Sequence, residues 1–318
     1  MAGRVQRTLR VLGIVLWTLL LSPLAVMAAL LAPFGPGVRH AFGSRVTRWW
    51  SRGLLRCLGV HLKVEGPRPP RGSLIVSNHL GYLDILVLSV ATPTTFVAKR
   101  ELGQWPFLGP CMRMVGTLLI DRESLRDTSR MVRAMQEVLG RKRSVTLFAE
   151  GTSWSGGRLL PFKRPLFAAP AELDIPVVPA ALHYATPGAG PGAAGEDGGS
   201  PHLEVCWWGD MPFFAHFRRL LRLPRIEARV RFGEPVRGLR DRKELASRME
   251  REVAALFEPI PGAPDDLSEA PRLGLGAAQQ AEAGGEEPGA NGAAADSGDP
   301  PSHEPGASSP PRDSPTRR

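Results

Sequence analysis

No fold for this chain can ignore the run from Val11 to Phe34, which carries no charged side chain. That is about the length an α-helix needs to cross the hydrocarbon core of a bilayer. Arg4, Arg7 and Arg10 precede it. A cleaved leader would stop near the small residues around Met27 to Ala29, but here the apolar run continues past them, which favours attachment. The next segment, "RHAFGSRVTRWWSRGLLRCLGVHL", sets Phe42, Val46, Trp49, Trp50, Leu54 and Leu58 at near-helical spacing with arginines between them. This is the pattern of a basic amphipathic helix lying in a membrane interface, with Trp at headgroup depth, and also of a surface helix docked on the core. Basic residues flank both ends of the apolar run, so a full span and a hairpin dipping into one leaflet both fit. Pro23 inside the run is compatible with a kink. Residues 1–60 are therefore expected to be membrane-associated helices.

From residue 61 to 260 the chain alternates short apolar runs with helical patterns. Expected strands are Leu74–Ser77, Thr95–Ala98, Thr117–Ile120, Val145–Phe148, Val177–Leu182, Leu203–Trp207 and Ile226–Phe232. Leu125, Val132, Met135 and Leu139 form one stripe of an expected helix, Ser124–Leu139. The alternation predicts an α/β domain with a largely parallel central sheet flanked by helices. Thr186–Pro201 reads as a surface insertion between two strands. Residues 261–318 are rich in Gly, Ala, Pro and Glu and lack aromatics, the composition of a disordered tail.

A formal net charge of +9 points to an anionic partner. Nucleic acid fits poorly, because aromatics do not interleave with basic residues in the core domain. Cys57, Cys111 and Cys206 show neither paired spacing nor a metal-ligand pattern and read as reduced thiols. No Gly-x-Ser-x-Gly elbow is present, so a hydrolase nucleophile is missing.

The chemistry-bearing segments begin with "LIVSNHLGYLDI". A strand, a turn and a helix start would let His79 in the turn meet Asp84 in the first helical turn. The imidazole could then donate one N–H to the carboxylate and keep its other nitrogen as a proton acceptor. Asp84 could equally cap the helix. In "GTLLIDRES", Arg122 ends a buried strand, where it could bind a phosphate or carboxylate or simply pair with Asp121. "VTLFAEGTSWSGGRLLPFK" ends a strand in Glu150-Gly151-Thr152 and continues into a loop bearing Arg158 and Lys163. Gly151 permits close backbone approach to a ligand. No His or Cys cluster supports a metal at Glu150. "DIPVVPAAL" reads as a buried strand bracketed by prolines.

In this order the blocks resemble the glycerolipid acyltransferase family, the lysophosphatidic acid acyltransferases of phospholipid synthesis. "NHLGYLD", "GTLLIDR", "FAEGTS" and "IPVVP" stand for its four blocks; "FVAKRELGQWPFLG" and "VRFGEPV" match further segments. The resemblance spans roughly residues 54–257. It implies transfer of an acyl group from acyl carrier protein or acyl-CoA, as co-substrate, to the sn-2 hydroxyl of lysophosphatidic acid in a membrane, giving phosphatidic acid, with no further cofactor and no metal. It implies His79 as general base and Asp84 as its orienting acid, without a covalent acyl-enzyme. Arg122 and Lys99 would hold the acceptor phosphate, and Glu150, Gly151 and Thr152 would position the acceptor. It also implies a cytoplasmic-side catalytic domain on an anionic membrane surface. The sequence departs from the family where Ser153 occupies the usual arginine position, which implies a phosphate contact that is either missing or moved to Arg158 or Lys163. "EGTSWSGGRLLPF" is closer to the branch that acylates lyso-ornithine lipids, so such an acceptor is the alternative.

Overall fold

A computed structural model describes residues 2–104, 109, 112–113, 116–121, 125–187 and 200–265, all within the first of two units, Met1–Gly274. The expected tail beyond Asp265, Arg122, Cys111 and most of the insertion after Thr186 lie outside the described residues.

The chain opens with two long helices, α1 (Ala2–Leu30) and α2 (Pro36–Leu58). Strands β1 (Val60–Glu65) and β2 (Leu74–Ser77) come after them, then α3 (Leu83–Ala91), β3 (Thr95–Lys99) and β4 (Leu118–Ile120). Next come α4 (Leu125–Gly140), β5 (Val145–Phe148), α5 (Ala168–Leu173) and β6 (Val177–Ala185). The short α6 (Pro201–Glu204), α7 (Phe213–Leu220), β7 (Ile226–Phe232) and α8 (Arg242–Leu256) complete the domain. One sheet runs in the order β1-β7-β6-β2-β5-β3-β4. Only the β6–β7 pair is antiparallel among the described strands.

The central strands β2 and β5 are buried along their whole length, as parallel strands covered on both faces must be. Their side chains alternate between two cores. Ile75 and Phe148 join the layer formed with α2, α3 and the segment around α7. Leu74, Val76, Val145 and Leu147 join the layer formed with α4 and α8. On α4, Met131, Met135, Val138 and Leu139 supply the apolar stripe. Asp241 starts α8 by accepting hydrogen bonds from the amides of Lys243 and Glu244, both at 2.8 Å.

Helices α1 and α2 form an antiparallel hairpin. Trp17 Nε1 donates to the Trp50 carbonyl (3.1 Å), and Trp50 Nε1 donates to Thr18 Oγ1 (3.0 Å). Gly53 is required at this crossing, since a Cβ there would lie 2.0 Å from Trp17 Nε1. Arg10 ties the start of the hairpin to the domain by donating to the carbonyls of Leu221, Leu223 and Pro224. Outward from Arg10, Leu12, Leu16, Leu19 and Leu20 of α1 are exposed. Among the described residues α1 is the one helix long and apolar enough to cross a membrane.

Two expectations need correction. Leu203–Trp207 is not a strand: Pro201 opens a helical turn over Pro201–Glu204, and Trp207 then passes beside the turn that leads into α3. Proline at the first helical position favours that helical turn, and the apolar run is too short to decide between helix and strand. Conversely, Val60–Glu65 is a strand that the apolar pattern did not reveal. It is an edge strand with several exposed side chains, held by its parallel pairing to β7.

Candidate active site

His79 and Glu150 stand just past the C-terminal ends of the neighbouring strands β2 and β5, where open α/β sheets place their ligands. The turn from β2 into α3 brings His79 back over the first turn of α3. His79 Nδ1 lies 2.7 Å from Asp84 Oδ2. The same oxygen accepts the backbone N–H groups of Leu80 (2.6 Å) and Gly81 (3.0 Å). Asp84 does not cap α3, whose N-cap is Tyr82; it holds the turn that leads into the helix and orients the imidazole. Its other oxygen accepts the hydroxyl of Tyr184 at 2.7 Å. Asp84 is fully buried, and these donors replace the water it has lost.

Tyr184 remains a donor: burial first, and then the Asp84 charge, push its phenol well above the ordinary value. The carboxylate facing Nδ1 fixes that nitrogen as the protonated one. Nε2 is left as the basic nitrogen, and the side chain is 20% exposed. The ring stacks on Phe148, with centroids 4.0 Å apart and planes at 13°. Imidazole position is thus set by a carboxylate along one edge and an aromatic ring across one face.

The backbone of His79 is held as firmly. Its N–H donates to Glu150 Oε2 (2.6 Å), and its carbonyl accepts from the Trp154 N–H (2.9 Å). Glu150 Oε1 accepts from the Leu160 N–H at 2.8 Å. Burial pushes the Glu150 carboxyl up to about 8, against the pull of those two amides. Glu150 is buried and spends both oxygens on backbone donors, so it acts on the site through the position of His79. Gly151 turns the chain at φ 78°, a left-handed conformation suited to glycine.

Other sequence-derived candidates stand farther from the imidazole network. Lys99 is exposed at the end of β3. Thr152 and Lys163 are exposed on the segment after β5. Arg158, also exposed, donates from Nε to the Asp265 carbonyl at 2.6 Å. None of these four hydrogen-bonds His79 or Asp84 among the described residues. Arg122 lies outside the described residues.

Sequence reasoning missed Tyr184 and saw Phe148 only as a strand residue. One signal could have found the first: the chain has only two tyrosines, and a polar-tipped ring in the apolar run of β6 needs a partner. Gly81 was also passed over. A Cβ there would lie 2.8 Å from the Trp207 N, and that amide donates to the Leu80 carbonyl at 2.8 Å. The segment misread as a strand thus braces the turn that carries His79.

A scan against protein-family models matches an acyltransferase domain over residues 61–183. The chain is 34% identical to the lyso-ornithine lipid O-acyltransferase of Pseudomonas aeruginosa over 67% of its length and 79% of that protein. It is 34% identical to the Rhizobium meliloti protein of the same name, over 72% of this chain and 86% of that one. The 1-acyl-sn-glycerol-3-phosphate acyltransferase of Neisseria meningitidis serogroup B is 40% identical over 42% of this chain and 53% of its own. Among solved structures, the LPA acyltransferase PlsC from Thermotoga maritima shares the fold, with a TM-score of 0.51 at 17% identity, covering 77% of this chain and 95% of that one. The chain belongs to the glycerolipid acyltransferase family and is an O-acyltransferase.

Proposed function

We propose that this enzyme transfers a fatty acyl group from a thioester, acyl-CoA or acyl carrier protein, to a hydroxyl of a membrane lysolipid. The observation that carries this reading is the His79–Asp84 pair at 2.7 Å, with Nε2 the remaining basic nitrogen. Nε2 of His79 would take the proton of the acceptor hydroxyl as its oxygen attacks the thioester carbonyl. The new C–O bond forms, the C–S bond breaks, and the proton leaves with the thiolate as a thiol. Asp84 stabilises the imidazolium formed on the way. General base catalysis of this kind supplies about 10²–10⁴-fold, and orientation of two bound substrates supplies the larger share. Cys206 is buried and its thiol is pushed up, first by burial and then by Asp84, which is the wrong direction for a nucleophile. This supports direct transfer without an acyl-enzyme.

Lysophosphatidic acid, acylated at sn-2 to phosphatidic acid, is one acceptor; lyso-ornithine lipid is the other. Ser153 at the usual arginine position, and the longer alignments with the lyso-ornithine lipid enzymes, favour an acceptor lacking the glycerol phosphate. Assay of the full-length enzyme against both lysolipids, each with acyl-CoA and acyl carrier protein donors, decides the matter. Turnover with neither acceptor would overturn the reading.

The hairpin supports a one-sided mode of membrane attachment. Arg10 near the start of α1 and Leu58 at the end of α2 both lie on the catalytic domain. The apolar part of α1 leaves the domain and α2 returns to it, so both ends stay on the domain's side of the membrane, here assigned as cytoplasmic.

A further inference from the structure

A cavity of about 870 Å³ opens at the other end of the sheet, where β2, β3 and β5 begin. Helix α2 contributes Arg45, Arg48 and Arg52 to its lining. The loop before β2 contributes Arg68 and Arg71, and the turn before β5 contributes Lys142 and Arg143. Among the described residues, no acidic one lines it. Among the described residues, none of these cations has a carboxylate within ion-pair distance. Buried Nε atoms of Arg48 and Arg143 lack any hydrogen-bond partner.

This concentration of like charge works against folding. Arg45, Arg48 and Arg52 repeat at three and four residues along one face of α2, a spacing at which like charges repel. Arg48 is held below its ordinary value by burial and then by repulsion from Arg52 and Arg68. The opposite wall is built with care. Lys142 adopts a left-handed conformation at φ 55°, and a Cβ on Gly72 would lie 3.0 Å from its Cα. Amides of Lys142 and Arg143 are tied to the carbonyls of Leu139 (2.9 Å) and Val138 (3.2 Å). A rigid wall that holds unpaired cations at a cost to stability is matched to an anion from outside.

We propose that this cavity binds the phosphodiester headgroup of an anionic membrane lipid, at a site separate from the centre at His79. Three observations select a lipid. Helix α2, which supplies three of the cations, pairs in the hairpin with α1, the helix that carries the exposed leucines. Trp49 lines the cavity and is 46% exposed, the placement of an interfacial anchor. Leu62, Val64, Val90 and Phe232 give the cavity an apolar side that a free inorganic anion would not use. The site would set how deep the hairpin sits and add a preference for anionic membranes.

The test is binding, with no turnover involved, so its outcome is independent of the acyl-transfer reading. Full-length protein in detergent is titrated with dihexanoyl phosphatidylglycerol, dihexanoyl phosphatidylcholine, CoA and inorganic phosphate, reading tryptophan fluorescence. The phosphatidylglycerol should bind and the phosphatidylcholine should not. Replacing Arg48 and Arg52 together by Gln should weaken binding about tenfold or more, since a hydrogen bond to a charged group contributes about 1.5–3 kcal/mol. The double replacement by Lys should retain most of the affinity. Arg68→Gln with Arg71→Gln, on an exposed loop, gives a second variant safe for folding and should weaken binding in the same direction. Equal binding of phosphatidylcholine, unchanged affinity in both Gln variants, or tighter binding of CoA or inorganic phosphate than of the lipid would each overturn the proposal.

Discussion

The two ends of the central sheet handle polar groups in opposite ways. At the end where β2 and β5 finish, every oxygen of Asp84 and Glu150 accepts a hydrogen bond, most of them from backbone amides. Where the same strands begin, cations face one another and two buried guanidinium nitrogens have no partner. Groups that must stay in one geometry for a proton transfer are fully satisfied by the fold itself. Groups that wait for an external anion are left unsatisfied, and the fold bears the repulsion. The two carboxylates beside His79 are saturated, although Trp154 Nε1 next to them is buried without a partner, and the deficit among charged groups lies at the cationic cavity.

That contrast can be broken by mutation at the saturated end. The largest effect is expected from His79→Ala: acyl transfer should fall by at least about 10²–10⁴-fold, with folding and vesicle binding intact. Asp84→Asn comes next. It removes the charge facing Nδ1 and should lower kcat by about 10²-fold or more, because the imidazolium loses its counter-charge. Tyr184→Phe leaves Asp84 Oδ1 without its donor, which should cost about 1–3 kcal/mol in denaturant unfolding and a smaller loss in kcat. At the acceptor, Ser153→Arg should raise kcat/KM for lysophosphatidic acid; no gain would count against a missing phosphate contact at that position.

The smallest effect concerns pH. Glu150 has its folded value raised from 4.5 to about 8, so the native state binds the extra proton between those values. Its contribution to stability is full below pH 4.5 and declines as pH rises toward 8. Thermal melting of Glu150→Gln should therefore depend less on pH across that window than melting of the unaltered enzyme. An equal dependence in the variant and the unaltered enzyme would show that Glu150 is already ionised in the folded state across that window.

Legibility in the sequence depended on distance along the chain. His79 and Asp84 are joined by one local turn, and their meeting could be reasoned from the strand-turn-helix pattern. Continuous apolar runs marked β2 and β5, which are covered on both faces. Tyr184 reaches Asp84 from a strand about a hundred residues later, and no local pattern announces that contact. Glu150 was visible as an oddity at a strand end, but its backbone partners His79 and Leu160 were not. The arginines of α2 read as the polar face of an interfacial helix. Their convergence with Arg68 and Lys142 depends on tertiary packing that periodicity cannot express.

The central claim is that His79 is the base and that no covalent acyl-enzyme forms. It is tested most directly by single-turnover measurement of thiol release from acyl-CoA or acyl carrier protein, with and without a lysolipid acceptor, in the unaltered enzyme and in His79→Ala. Thiol release is expected only when acceptor is present, with a drop of at least about 10²-fold in the variant. A stoichiometric burst of thiol without acceptor, or a variant that turns over within about threefold of the unaltered enzyme, would contradict it.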